Sequence, residues 1–211
     1  MSYHPRTRQL LEKPCGLAPR ELKALDLTPF RTMQDGPTGF GLVGGTGVGK
    51  TFTMVRHVAD RVEKIVQASP LPSEARLPFA YACWENWPER AEEIKRLSTK
   101  PGTDLEEWIY RVKGAAYLYL DDLGRERVRS EDDLSLGVLK EIIDHRYRHG
   151  SPVLWTSNMV GPTEFGKIYP AHMVSRLLGT WPPLLVRGKD LRLSLGTNVE
   201  DFKQRAAGGD A

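Results

Sequence analysis

The sequence predicts an α/β fold, and three observations carry that prediction. First, apolar residues form a short strand over residues 40–43, followed by an amphipathic helix in which they recur at helical spacing over 54–66. Second, a glycine-rich loop joins this strand to this helix. Third, another apolar run over 117–120 ends in two acidic residues, which is typical of a buried strand that delivers side chains to a ligand site.

The loop after the first strand fits G-x-x-x-x-G-K-[ST], the pattern of a phosphate-binding P-loop. Its residues are Gly44, Gly45, Thr46, Gly47, Val48, Gly49, Lys50 and Thr51. Glycines let successive backbone N–H groups turn inward towards phosphate oxygens. We expect Lys50 to place a positive charge on those phosphates and the Thr51 hydroxyl to ligate Mg²⁺. A glycine-rich turn without a ligand is the alternative interpretation, and the joint presence of Gly, Lys and Thr speaks against it.

The acidic pair after the second apolar run is Asp121 and Asp122. A buried strand that exposes carboxylates at its C-terminal end puts them where α/β sheets bind ligands. We expect Asp121 to hold Mg²⁺, directly or through water, and Asp122 to accept a proton from the water that attacks the γ-phosphate. Alone, such a pair is also typical of a surface turn. The P-loop upstream favours the catalytic interpretation.

The rest of the chain continues the alternation of strands and helices. Further strands are predicted over 79–84, 152–155 and 183–186, and helices over 89–97, 104–112, 134–146, 162–165 and 171–178. Asn158 follows the 152–155 strand, so we expect it to orient the attacking water or contact the γ-phosphate, although a strand-end cap is also possible. Arg176 is a surface residue in a monomer, but side-by-side assembly would let it reach a neighbour's γ-phosphate.

Charge, cysteine content and the length of the apolar runs limit the other classes of function. With 30 Lys and Arg against 27 Asp and Glu, the net charge of +3 permits contact with nucleic acid without requiring it. The two cysteines, Cys15 and Cys83, lack metal-ligand spacing, and no apolar run is long enough to span a membrane, so we expect a cytoplasmic protein. Three cations, Lys95, Arg96 and Lys100, are interpreted either as a helix end that complements the dipole or as a DNA-facing patch.

Several motifs recur together in one order: the P-loop, LDDLG at 120–124, HRY at 145–147, WTSN at 155–158, SRL at 175–177 and G-x-x-x-R at 188–192. Over roughly residues 16–195 the chain thereby resembles the DnaC/IstB-like family of AAA+ ATPases. The resemblance implies a five-stranded parallel sheet between helices, with the P-loop strand central. From the sequence we expect no helical lid domain after the core, and the family often lacks one too. It also implies ATP and Mg²⁺ as cofactors, and homo-oligomers that assemble through the ATP site on single-stranded DNA.

The resemblance also implies roles for individual residues. Lys50 and Thr51 match Walker A, and Asp121 and Asp122 match Walker B. Asn158 matches sensor 1 and Arg176 matches the arginine finger, which makes Lys50, Asp122, Asn158 and Arg176 the expected catalytic set. Arg192 is carried over only as a nucleotide-side or structural contact. We accordingly expect a short basic N-terminal arm over 1–35, an ATPase core over 36–195 and a disordered tail over 196–211.

The sequence leaves several functions open. The first is a replicative helicase loader that hydrolyses ATP at subunit interfaces, and the second is an ATPase helper of a transposase. A small-molecule P-loop kinase is a third, for which Arg125, Arg127 and Arg129 are the candidate lid arginines. A nucleotide-binding adaptor with little hydrolysis is the fourth. The N-terminal arm is interpreted either as a solvated segment that packs lightly on the core or as a docking arm for DNA or a partner protein.

Overall fold

Helices and strands alternate along the part of the chain that the computed structural model describes, namely residues 3–12, 15–17, 19, 39–71, 81–97, 104–128, 130, 132–188 and 190. In chain order the elements are α1 (Pro5–Glu12), β1 (Gly39–Val43), α2 (Lys50–Ala68), β2 (Ala82–Asn86), α3 (Trp87–Leu97), α4 (Asp104–Gly114), β3 (Tyr117–Leu123), α5 (Leu134–Arg148), β4 (Val153–Ser157), α6 (Pro162–Phe165), α7 (Ala171–Thr180) and β5 (Pro183–Leu185).

The five strands form one parallel sheet in the order β2-β3-β4-β1-β5. Parallel neighbours need crossover connections, and the intervening helices supply them. The five-stranded parallel sheet is therefore confirmed, but β4 occupies its centre and β1 lies second from one edge, so the expectation of a central P-loop strand is wrong. Strand order depends on which crossovers pack together, and motif order along the chain does not reveal this. Because β4 lies between β1 and β3, the C-terminal ends of these three strands meet.

Helices cover both faces of the sheet, and the strands alternate between two cores. Leu118 and Leu120 of β3 pack into a core with α3, α5 and α7, whereas Tyr119 packs into a second core with α1 and α2. In β4, Trp155 and Leu154 divide in the same way. Strands buried on both faces are continuously apolar, which is why periodicity marked them as strands without showing an exposed side.

The first described residues belong to the second core. The Tyr3 hydroxyl donates to Asp60 Oδ1 at 2.6 Å, and the Thr7 hydroxyl donates to Glu63 Oε2 at 2.6 Å, both across to α2. Leu11 is fully buried. Over these residues the chain is not the lightly packed solvated arm that was one expectation, because α1 turns its apolar side onto α2.

The observed elements otherwise follow the predicted ones, with two differences. Helix α1 was missed because Pro5 reads as a breaker, yet proline is well suited to the first turn of a helix. Strand β2 continues through Asn86, two residues beyond the predicted strand, and α3 begins at once at Trp87, two residues before the predicted helix. The tail over 196–211, which was expected to be disordered, and Arg192 lie outside the described residues. None of the helices in the described ranges is both long enough and apolar enough to cross a membrane.

A buried arginine on α5 fixes the starts of two central strands. Arg146 is fully buried, and its guanidinium donates to the carbonyl oxygens of Val112 at 3.0 Å, Ala115 at 2.8 Å and Pro152 at 2.6 Å. These carbonyls lie at the end of α4 and just before β3 and β4. Burial lowers the pKa of Arg146 to about 10, so the group remains charged at neutral pH. Arg146 therefore holds the two strands that carry much of the site.

Candidate nucleotide site

The P-loop follows β1 and leads directly into α2. Its backbone is left-handed at Gly47, with φ of 76°, and at Gly49, with φ of 91°. A Cβ added at Gly47 would lie 1.7 Å from Asp190 Oδ1, so a side chain there would displace the Asp190 carboxylate. The loop turns the N-terminus of α2 towards the cavity described below, which is the arrangement that binds anions at helix N-termini.

Lys50 joins the P-loop to the end of β4. Its side chain is buried, and Nζ donates to Gly44 O at 2.9 Å, to Gly45 O at 2.8 Å and to Asn158 Oδ1 at 2.8 Å. Lys50 and Asn158, predicted as the Walker A lysine and the sensor 1 residue, are therefore in direct contact, although 108 positions separate them in the sequence. The adjacency of β1 and β4 in the sheet makes this contact possible.

Asp121 and Thr51 meet at the same edge. The Thr51 hydroxyl donates to Asp121 Oδ1 at 3.0 Å, and the Thr156 hydroxyl donates to the same oxygen at 2.6 Å. Asp121 is buried at the end of β3. A carboxylate beside a threonine hydroxyl is a hard-oxygen donor set, which fits Mg²⁺ completed by water and phosphate oxygens. Nowhere in the described ranges do three or more His, Cys, Asp or Glu side chains converge as an all-protein cage.

Asp122 has an unusual backbone and a cationic partner. Its φ is 61°, and its N–H donates to Thr156 Oγ1 at 2.8 Å. Left-handed conformations are uncommon outside glycine, although Asp and Asn tolerate them best, and such strain concentrates at functional sites. The Arg125 guanidinium donates to Asp122 Oδ2 at 2.8 Å, and the Arg125 side chain is about half exposed at 54 %.

These side chains surround one cavity of about 310 Å³. Its lining residues are Thr46, Gly47, Gly49, Lys50, Thr51, Phe52, Asp121, Asp122, Arg125 and Asn158. The structure thus brings together the residues predicted for Walker A, Walker B and sensor 1. It adds Arg125, which sequence reasoning considered only with Arg127 and Arg129 as a kinase lid. The overlooked signal was its position three residues after Asp122, close enough for an ion pair across a tight turn.

Arg176 lies elsewhere. It is on α7, pairs with Asp144 of α5, and its guanidinium sits 5.2 Å from the centre of the Tyr147 ring. About a third of its side chain, 32 %, is exposed. It does not line the cavity that holds Lys50 and Asp122. The chain's own site is therefore formed without Arg176 among its lining residues.

No family model and no curated protein matches the sequence, but solved structures do. The DnaC helicase loader is 19 % identical with a TM-score of 0.56, and the alignment covers 81 % of this chain and 100 % of that one. DnaI is 20 % identical with a TM-score of 0.53, and the alignment covers 88 % of this chain and 80 % of that one. The replication initiator DnaA bound to AMPPCP and single-stranded DNA is 15 % identical with a TM-score of 0.52. The alignment covers 93 % of this chain and 53 % of that one. The chain shares the fold of these proteins, a five-stranded parallel sheet between helices, and the resemblance found in its sequence is confirmed at the level of the fold.

Proposed function

We propose that this chain binds ATP with Mg²⁺ and hydrolyses it as a DNA replication protein that loads a replicative helicase. The observation that carries the proposal is the convergence of Lys50, Asp121, Asp122 and Asn158 on one cavity of an AAA+ fold. Each of these residue types has a defined task in phosphoryl transfer, and the tasks require them within a few ångströms of one another.

Nucleotide binding rests on the P-loop. Lys50 Nζ already lies among oxygen acceptors, so phosphate oxygens could replace the carbonyl groups of Gly44 and Gly45 as its partners. The Thr51 hydroxyl and the Asp121 carboxylate would hold Mg²⁺, which neutralises charge on the phosphates when bound. The hydrogen bond from Thr156 to Asp121 fixes the orientation of that carboxylate.

Hydrolysis is assigned to residues at the ends of β3 and β4. Asp122 would accept the proton of the attacking water, and Asn158 would orient that water or contact the γ-phosphate. Arg125 supplies a second cation at the cavity in addition to Lys50. Of the arginines considered for a kinase lid, Arg127 does not line this cavity, and its placement does not favour a kinase. Arg129 lies outside the described residues.

Assembly is proposed because Arg176, the expected arginine finger, does not line the cavity of its own chain. Arg176 is partly exposed on α7 and is absent from the cavity lining. A neighbouring subunit placed side by side would then contribute Arg176 to the γ-phosphate of this one. Such a finger contributes about 10³ to 10⁵ in rate, so a dilute monomer is expected to hydrolyse ATP slowly.

The proposed partners are single-stranded DNA and a replicative helicase, in the cytoplasm. They are supported by the similarity of the fold to a helicase loader and to DnaA bound to single-stranded DNA. A DNA-facing role for Lys95 gains little support, since Lys95 pairs with Asp133 at 3.2 Å. Arg96 is exposed at the end of α3, whereas Lys100 lies outside the described residues.

The loader assignment is tested by reconstitution. The purified chain is mixed with the replicative helicase of its source organism and closed circular single-stranded DNA, and helicase retained on the circles is measured with and without ATP. We expect ATP-dependent retention that Lys50→Ala removes and that Lys64→Ala, an exposed lysine on the same helix, leaves intact. ATP-dependent assembly on DNA without helicase retention would instead favour the transposase helper.

A further inference from the structure

A buried carboxylate lies just beyond the turn that follows β3. Glu126 is only 8 % exposed, and its Oε2 accepts a hydrogen bond from Gly124 N at 2.8 Å. Its other oxygen, Oε1, accepts a hydrogen bond from the Tyr169 hydroxyl. Burial raises the pKa of Glu126, and burial beside Glu126 raises the pKa of Tyr169. The chemistry proposed for ATP uses neither residue, although burying both polar groups costs free energy of folding.

Tyr169 connects Glu126 to the helix that carries Arg176. Its ring is buried and stacks on Phe165, with ring centroids 5.9 Å apart. The next residue, Pro170, is the N-cap of α7, and the helix begins at Ala171. Proline restricts the backbone, so this is a short and stiff connection between the Tyr169 hydroxyl and the first turn of α7. A displacement of Tyr169 would therefore be passed to the helix.

Gly124 connects Glu126 to the nucleotide cavity. It has φ of 86°, and a Cβ added there would come within 2.1 Å of the Met159 side chain, so the turn packs tightly against the end of β4. The same turn carries Asp122 and Arg125, which line the cavity. One buried carboxylate thus bonds to the turn of the nucleotide site on one side and to the approach to α7 on the other.

We propose that Glu126 and Tyr169 are positioning residues, which join the turn of residues 122–125 to the start of α7 so that occupation of the nucleotide cavity changes the position of the helix bearing Arg176. This inference rests on the proposed binding of ATP. It adds a route by which nucleotide binding would change the proposed interface between subunits.

The physical basis of the link lies in Arg125, the half-exposed cation of the cavity. The Arg125 guanidinium is half exposed and bound to Asp122, so an anionic polyphosphate in the cavity competes with that carboxylate for it. Movement of Arg125 shifts a turn only four residues long. Because Glu126 is buried and bonded at both oxygens, the shift is transmitted to Tyr169 instead of being absorbed by a free side chain.

The experiment is hydrogen–deuterium exchange of the full chain, with and without AMPPCP and Mg²⁺, followed by mass spectrometry of peptides that cover α7. In the parent chain we expect the nucleotide to change exchange in α7 as well as in the P-loop. Tyr169→Phe keeps the ring and removes only the hydroxyl, and we expect it to lose the change in α7 while keeping the change in the P-loop and its affinity for AMPPCP.

Two further variants keep the test decisive. In Glu126→Met an unbranched side chain of similar size replaces both carboxylate oxygens, so the links to Gly124 and to Tyr169 are both lost. Its response in α7 should also be lost, which supports the inference even if Tyr169→Phe does not fold. Tyr3→Phe is the matched control, because it also removes a hydroxyl bonded to a carboxylate, that of Asp60 on the other face of the sheet. It should respond like the parent.

The outcomes distinguish failure of the link through Glu126 and Tyr169 from failure of the proposed ATP binding. A response of α7 that persists in both Tyr169→Phe and Glu126→Met would overturn the link and leave ATP binding intact. The same holds if the parent binds AMPPCP without any change in α7. Failure of the parent to bind AMPPCP, measured by titration, would overturn the proposed function and the link together.

Discussion

At the scale of single residues, Lys50 and Asp122 are each held in place by their own hydrogen bonds at the proposed nucleotide site. Lys50 is fixed by oxygen atoms from the P-loop and from Asn158, and Asp122 is fixed through its backbone N–H to Thr156 and its carboxylate to Arg125. These contacts orient both groups before any ligand arrives. Pre-orientation of this kind lowers the cost of forming the reactive geometry.

Lys50→Ala is expected to raise the Kd for ATP about 10- to 100-fold, since hydrogen bonds to charged groups contribute about 1.5–3 kcal/mol. Isothermal titration of ATP with Mg²⁺ measures the change. The control, Lys64→Ala, removes an exposed lysine from the same helix and should bind like the parent. An unchanged affinity in Lys50→Ala would show that the P-loop assignment is wrong.

Asp122→Asn is expected to lower ATP turnover by about 10² to 10⁴, the usual contribution of a general base, with little effect on ATP affinity. Asparagine is the appropriate substitution because it also tolerates the left-handed backbone seen at φ of 61°. Turnover is measured at protein concentrations that permit assembly, and Asp132→Asn, at an exposed position, is the control. Parent-like hydrolysis by Asp122→Asn would mean that another group is the base.

At the scale of the element, α5 secures the sheet through its last turns. Arg146 points inward to carbonyl groups before β3 and β4, whereas His145 lies beside His149 with the two rings stacked at 4.1 Å. The same helix supplies Asp144, the partner of Arg176. A single helix thus supports both the strands of the site and the residue proposed to act on the neighbour.

Arg146→Met is expected to destabilise the fold by at least about 3 kcal/mol, because each buried carbonyl left without a donor costs about 1–3 kcal/mol. Urea denaturation followed by tryptophan fluorescence gives the free energy of unfolding. Arg148→Met, on the exposed side of the same helix, should differ little from the parent. Equal stability of the two variants would refute a structural role for the Arg146 hydrogen bonds.

His145 gives α5 a dependence on pH. Burial and the nearby positive groups His149, Lys113, Arg148 and Arg146 lower its pKa from the ordinary 6.5. Below 6.5 the unfolded chain takes up a proton that the folded chain resists, so stability falls as pH drops through the lowered pKa. Comparing urea midpoints near pH 8 and near pH 5, we expect His145→Gln to lose less stability than the parent. Identical losses would contradict the assignment.

At the scale of the whole molecule, the sheet order explains what the sequence could and could not predict. Local patterns and the order of motifs predicted Lys50, Thr51, Asp121, Asp122 and Asn158 as site residues, and the structure places all five around one cavity. Strand order, the packing of α1 on α2, and the bond between Glu126 and Tyr169 depend on contacts between distant segments, which no local pattern records. Arg125 is an intermediate case. Its ion-pair partner Asp122 was predicted from the local pattern, but the place of Arg125 in the cavity depends on the left-handed backbone at Asp122.

The proposal as a whole depends on a site completed between subunits. The most direct measurement is ATP hydrolysis against protein concentration, with and without single-stranded DNA, for the parent and for Arg176→Ala. We predict that parent turnover per subunit rises with concentration and with DNA, and that Arg176→Ala binds ATP normally yet loses about 10³-fold or more of that turnover. Turnover per subunit that is independent of concentration, of DNA and of Arg176 would contradict the account and point to a P-loop enzyme that acts as a monomer on a small substrate.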